Sequence, residues 1–221
     1  MSTIRDPDTP TDILKIDSTF KAARVTQFPL DLEGRYHLAE FTGLMTGIAA
    51  NGEIFQARWT DSTHLALIKY LRISYSVITG FTAAQELAFR ADMVTGWSAD
   101  GSGGTSITPG STNLKRRISY PTSKFGSLRI ATTGALTAGT KTINTQAIAA
   151  AVRKTMAAAA TVQDSDFTVE VNFDFEGGPI ILAQNEGLIV RNVIAMGAAG
   201  TIRGMISIRW EEALAADWPS L

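Results

Sequence analysis

The amino-acid sequence predicts an all-β protein, an antiparallel β-sandwich of jelly-roll-like kind that follows an extended N-terminal arm. Three observations carry that prediction. Beyond Gly34 the dominant pattern is alternation of apolar and polar residues at period two, the mark of strands with one face on a core. The connections are short and hold Gly and Asn, which tolerate positive φ and suit antiparallel neighbours. A chain of 221 residues is also long enough for one core to bury roughly 70% of its unfolded surface without metals or disulfides.

Residues 1–33 stand apart from the rest. They hold three of the seven prolines among scattered charges and show no sustained period, so they form the arm, and residues 34–221 form the sandwich domain. Ile13, Leu14, Ile16 and Phe20 are its apolar residues with little local company. Each contributes about 1.5–3 kcal/mol when buried. Ordering roughly ten residues costs about 10–20 kcal/mol, so these four act as partner-binding residues: the arm is ordered only against another surface, its own domain or another subunit.

Nine strands are predicted after the arm. Arg35–Met45 and Glu53–Thr60 come first, separated by the Asn51-Gly52 turn. Leu65, Leu67, Leu71, Ile73, Tyr75 and Val77 share one parity, and Leu87, Phe89, Ala91 and Met93 repeat the pattern opposite Glu86, Arg90 and Asp92. Leu128–Leu136 is a shorter candidate. Phe167, Val169, Val171, Phe173 and Phe175 alternate with polar residues, and Ile180–Ala183 and Leu188–Met196 follow Gly-rich turns. The last strand sets Ile202, Ile206, Ile208 and Trp210 against Arg203, Ser207 and Arg209. Two stretches depart from this pattern. Residues 144–162 are rich in alanine, with Ala147, Ile148, Val152 and Met156 at helical spacing, and admit one short helix. Residues 96–117 form a long polar loop that ends in Lys115-Arg116-Arg117 and is mobile unless something packs on it.

Composition excludes several functions. Cysteine is absent, which removes thiol nucleophiles, disulfides and Cys-ligated zinc. Twenty basic against 21 acidic residues argue against a general nucleic-acid binder, and no window of about 20 residues is free of charge, so no membrane span is expected. The two histidines, His37 and His64, lack a Gly-x-Ser-x-Gly elbow or His-Glu-x-x-His spacing. His37 reads as a packed or hydrogen-bonded strand residue between Tyr36 and Leu38. Gly134 to Lys141 nearly matches a phosphate loop, yet Thr140 displaces the lysine from its place after the second glycine, so a turn between strands is the better reading. The carboxylates Asp164, Asp166, Glu170, Asp174 and Glu176 lack calcium-loop spacing. Trp59 and Trp210 share parity with core residues, and Trp97 is the aromatic expected to be exposed for a ligand. The expectation is therefore a non-enzymatic chain with no catalytic, metal or cofactor site.

The segments Gly52-Glu-Ile-Phe-Gln-Ala-Arg-Trp59, Pro179 to Arg191 and Ile206-Ser-Ile-Arg-Trp-Glu-Glu212 together resemble a group of small tailed-bacteriophage virion proteins, over roughly residues 20–212. The alanine-rich stretch and the arm depart from that pattern. The resemblance implies a virion structural protein made in the host cytoplasm and carried on the head exterior. There it would act as a decoration (cement) protein that binds the major capsid protein, with itself as homotrimer, and neither nucleic acid nor membrane. A tail, fibre or baseplate component is the alternative. A cysteine-free sandwich with an unpaired arm suits contact rather than turnover, and repeated weak contacts gain from effective concentration.

Overall fold

Alternation dictates where strands form, and the computed structural model shows which of them pair. It describes residues 16–17, 22–23, 32–154, 167–173 and 178–217. Two units are distinguished, residues 1–31 and residues 32–221. In the first, β1 (Ile16–Asp17) pairs antiparallel with β2 (Ala22–Ala23). The second unit begins with its first strand at Leu32, two residues before the boundary expected from composition.

That unit is an antiparallel sandwich. Its strands are β3 (Leu32–Phe41), β4 (Glu53–Trp59), β5 (His64–Thr79), β6 (Glu86–Ala99), β7 (Thr105–Ile107), β8 (Phe125–Ile130), β9 (Thr140–Lys154), β10 (Phe167–Asn172), β11 (Ile180–Leu182), β12 (Glu186–Asn192) and β13 (Thr201–Leu214). One sheet has the order β10-β5-β13-β3, with β11 also on β5; the other runs β7-β8-β4-β12-β6-β9. Every pairing is antiparallel. Phe55, Trp59, Phe89, Leu128 and Val190 from one sheet meet Leu71, Ile73, Ile206, Ile208 and Trp210 from the other in a single core. An aromatic chain bridges the layers. Tyr36 stacks on Trp210 at 5.4 Å, Trp210 meets Phe125 edge-on at 5.1 Å, and Phe125 meets Trp59 edge-on at 5.1 Å.

Three expectations are corrected. Residues 144–154 are strand, not helix: they belong to β9, and residues 155–162 lie outside the described residues. The stretch opens Thr-Lys-Thr-Ile-Asn-Thr, where branched residues favour extension, and β6 offers a row of backbone groups that β9 satisfies from Thr140 to Lys154. Tertiary pairing thereby overrides the weak preference of alanine for helix. The single parity from Leu65 to Val77 also breaks. The β13 partner of Tyr70 is Arg209 and that of Ile68 is Trp210, so Lys69 is an extra residue. This β-bulge switches the inward set from Ala66 and Ile68 to Leu71, Ile73 and Tyr75. Finally, the polar loop is pinned. Its first residues extend β6, β7 pairs with β8, and Arg116 N–H donates to Arg35 O at 3.0 Å.

Strand β5 carries two partners on one edge. β10 ends with Asn172 opposite Tyr70, and β11 begins with Ile180 opposite Ile68. Between these pairings Gly178 N–H donates to Phe173 O and Phe173 N–H to Lys69 O, both at 3.0 Å.

Candidate interaction surface

Backbone groups left over at sheet edges are the first place to look for contact with another chain. At β3 the outer edge is met at Arg35 and Tyr36, by the Tyr36–Lys115 bridge and the Arg116–Arg35 bond. β7 pairs with Leu128–Ile130, the second half of the β8 edge. β9 differs. Among the described residues no strand pairs with its outer edge, over fifteen residues. From Thr142 to Val152 it has neither charge nor proline, and Val152 is 57% exposed. Long, uncharged edges are what sheet proteins ordinarily blunt.

The outer face of the other sheet carries a shallow groove of about 240 Å³ between Phe41, Arg72, Ile78, Thr168 and Arg203. Phe41 and Ile78 are exposed there. Ile118 projects from the loop beside the exposed Arg116 and Arg117 and is 85% exposed.

Several titratable side chains tie loops to strands or strands to one another. His64 is buried at the start of β5, with Nδ1 3.0 Å from Asp61 Oδ1. Its Nε2 lies 2.9 Å from Glu33 Oε2, within ion-pair distance but off the line of a hydrogen bond. Burial alone would raise the Asp61 carboxyl, yet hydrogen bonds from His64 and Thr63 hold it down at about 2. Glu212, buried in β13, accepts from Ser123 Oγ at 2.7 Å, Trp210 Nε1 at 3.0 Å and Lys124 N–H at 3.1 Å. Burial pushes its carboxyl above the usual range against those donors. Asp92 is fully buried; Oδ1 pairs with Arg90 Nε and Oδ2 with Arg191 Nε at 2.8 Å.

A second buried network lies on the outer face of the six-stranded sheet, beneath the loops around Gly101 and Thr137. Glu53 Oε2 accepts from Lys141 Nζ at 2.8 Å and from Gln56 Nε2 at 2.7 Å. The Lys141 ammonium sits 4.4 Å from the centre of the Trp97 ring. Burial pushes Lys141 below the ordinary lysine value, while Glu53 pulls the other way.

Trp97 is thus not free for a ligand. It is 1% exposed and packs in a small cluster with Val94 and Ile189. Gly187 makes the space: a Cβ there would lie 2.6 Å from the Trp97 ring. His37 is exposed rather than packed, because it occupies the outward parity of β3. Trp59 and Trp210 are core residues, as their parity indicates. The near-miss phosphate motif is a loop leading into β9, its lysine committed to Glu53. Glu170 is exposed on β10, whereas Asp164, Asp166, Asp174, Glu176 and Trp218 lie outside the described residues. So do Ile13, Leu14 and Phe20; of Ile16 only the backbone, in β1, is described. Among the described residues no group of three or more His, Asp or Glu is placed to hold a metal ion.

The sequence alone pointed to neither the β9 edge nor the Lys141–Glu53 pair. The pair joins residues 88 apart, and no local spacing marks it. Comparison with models of protein families finds no match for this chain, and comparison with curated proteins finds none.

Proposed function

We propose that this chain is a virion structural protein of a tailed bacteriophage, a head-decoration protein that grips the major capsid protein and further copies of itself, as a trimer. One observation supports the reading most. Among the described residues β9 has no partner on its outer edge over a long, uncharged run, whereas the β3 and β8 edges are partly met, which suits addition of a strand from another chain at β9. The arm adds a second means of attachment through Ile13, Leu14, Ile16 and Phe20.

Co-sedimentation with capsids tests this. Ala147 and Ala150 are exposed on β9, and replacing both with lysine places charge on the edge without touching the core. The Ala147→Lys/Ala150→Lys variant and a deletion of residues 2–25 are each expected to lose capsid binding at least about tenfold, which corresponds to roughly 1.4 kcal/mol. Heads lacking the protein should break sooner on heating. Full retention of both variants, or a copy number of only a few per particle, overturns the proposal.

A further inference from the structure

The outer-face network places an amine, a carboxylate and a primary amide on one another in a site closed to water. Glu53 and Gln56 stand on β4 and Lys141 on β9, strands that β12 and β6 separate within the sheet. Their side chains nevertheless converge. Lys141 Nζ and Gln56 Nε2 both donate to the same oxygen, Glu53 Oε2, so the two nitrogens are no farther apart than the sum of those bonds. Gln56 Nε2 also donates to Thr137 O at 2.7 Å, which fixes which end of the amide is nitrogen. The Lys141 side chain is 2% exposed, Glu53 3% and Gln56 2%. Trp97 closes one side, and Lys141 also donates to Ala138 O. Gly101 closes another: a Cβ there would lie 2.5 Å from Gln56 Oε1 and 2.1 Å from Thr137 O, so the loop backbone rests on the carboxamide.

We infer that these residues form an intramolecular isopeptide site, in which the Lys141 amine displaces ammonia from the Gln56 carboxamide while Glu53 carries the proton. Glu53 Oε2 takes a proton from Lys141 Nζ and frees the nitrogen lone pair. That nitrogen attacks Gln56 Cδ, and a new C–N bond forms. Glu53 gives that proton to Gln56 Nε2, the bond between Cδ and Nε2 breaks, and ammonia is released; Glu53 takes the second proton from the nitrogen of the new bond and passes it to the ammonia, which leaves as ammonium. The balance is one primary ammonium and one primary amide giving one secondary amide and one ammonium ion, with Glu53 returned as carboxylate and no oxidant, reductant or cofactor. Burial favours the neutral amine that attack requires, and proximity supplies a high effective concentration. Excluding water keeps aminolysis ahead of hydrolysis. The bond would staple β9 to β4 across two intervening strands, which holds the open edge in place.

The intact mass of the denatured full-length chain is the test. The wild-type chain should weigh one ammonia less than its sequence requires, about 17 Da. Fragmentation should yield a joined peptide pair linking Gln56 to Lys141. Lys141→Arg and Glu53→Gln should each restore the full sequence mass. A wild-type chain at full mass overturns the inference. So does a deficit that persists in Lys141→Arg, which would instead report a cyclised Asn51-Gly52. If the variants fail to fold, the wild-type mass and the joined peptide decide the matter alone.

Discussion

Replacing Asp92 with alanine should be among the most damaging single changes in the protein. The carboxylate is fully buried, and its two oxygens are divided between Arg90 on the same strand and Arg191 on the neighbouring β12. Removing it leaves two guanidinium groups side by side without their common anion. Breaking a buried pair in this way costs about 3–5 kcal/mol. The two arginine side chains are 23% and 15% exposed, so water relieves part of that penalty and the lower end of the range applies. With an m-value of about 2–3 kcal/mol/M in urea, the unfolding midpoint falls by about 1 M or slightly more. Urea titration at neutral pH, followed by tryptophan fluorescence and circular dichroism, measures the shift. Combining Asp92→Ala with Arg90→Leu and Arg191→Leu should recover more than half the loss, because no unpaired charge then remains near the strand. A loss below about 1 kcal/mol in Asp92→Ala would refute the claim that this carboxylate neutralises both arginines.

Two further expectations are simpler. Asp61 is held at about 2 in the fold against an ordinary 3.8, so the stability it contributes is present above 3.8 and disappears as the pH falls through about 2. Urea midpoints of the wild type should therefore drop between pH 4 and pH 2 more steeply than those of Asp61→Ala, and parallel curves would contradict this. Gly187→Ala puts a methyl 2.4 Å from Ala57 O and 2.6 Å from the Trp97 ring; it should destabilise by about 1–3 kcal/mol and shift the fluorescence of Trp97, and an unchanged midpoint and spectrum would rule the contact out.

Much of the sandwich is legible in the sequence because a half-buried strand must alternate. β13 is the clearest case: Ile202, Ile206, Ile208 and Trp210 are all buried, while Arg203 and Arg209 face outward. What stays hidden depends on partners distant along the chain. The alanines between Ala147 and Ala151 favour a helix on their own, and pairing with β6 makes the segment a strand instead. The bulge at Lys69 appears only once β13 is laid against β5. Trp97 reads as an exposed loop aromatic until Gly187, Lys141 and the loop at Gly101 are folded over it. The buried network was invisible for the same reason, since none of Glu53, Gln56 or Lys141 has a telling neighbour in sequence.

β10 and β11 take successive places along one edge of β5, with Phe173 fastened to Lys69 and Gly178 to Phe173 by backbone hydrogen bonds. Where the chain ends its pairing as β10 and resumes it as β11 is therefore set by those bonds and not by the number of residues between them. Closing a loop twice as long costs only about 0.6 kcal/mol more, while the registers of β10 and β11 stay as they are. Residues inserted between Phe173 and Gly178 would therefore leave the two strand registers, and the layers built on them, as they are.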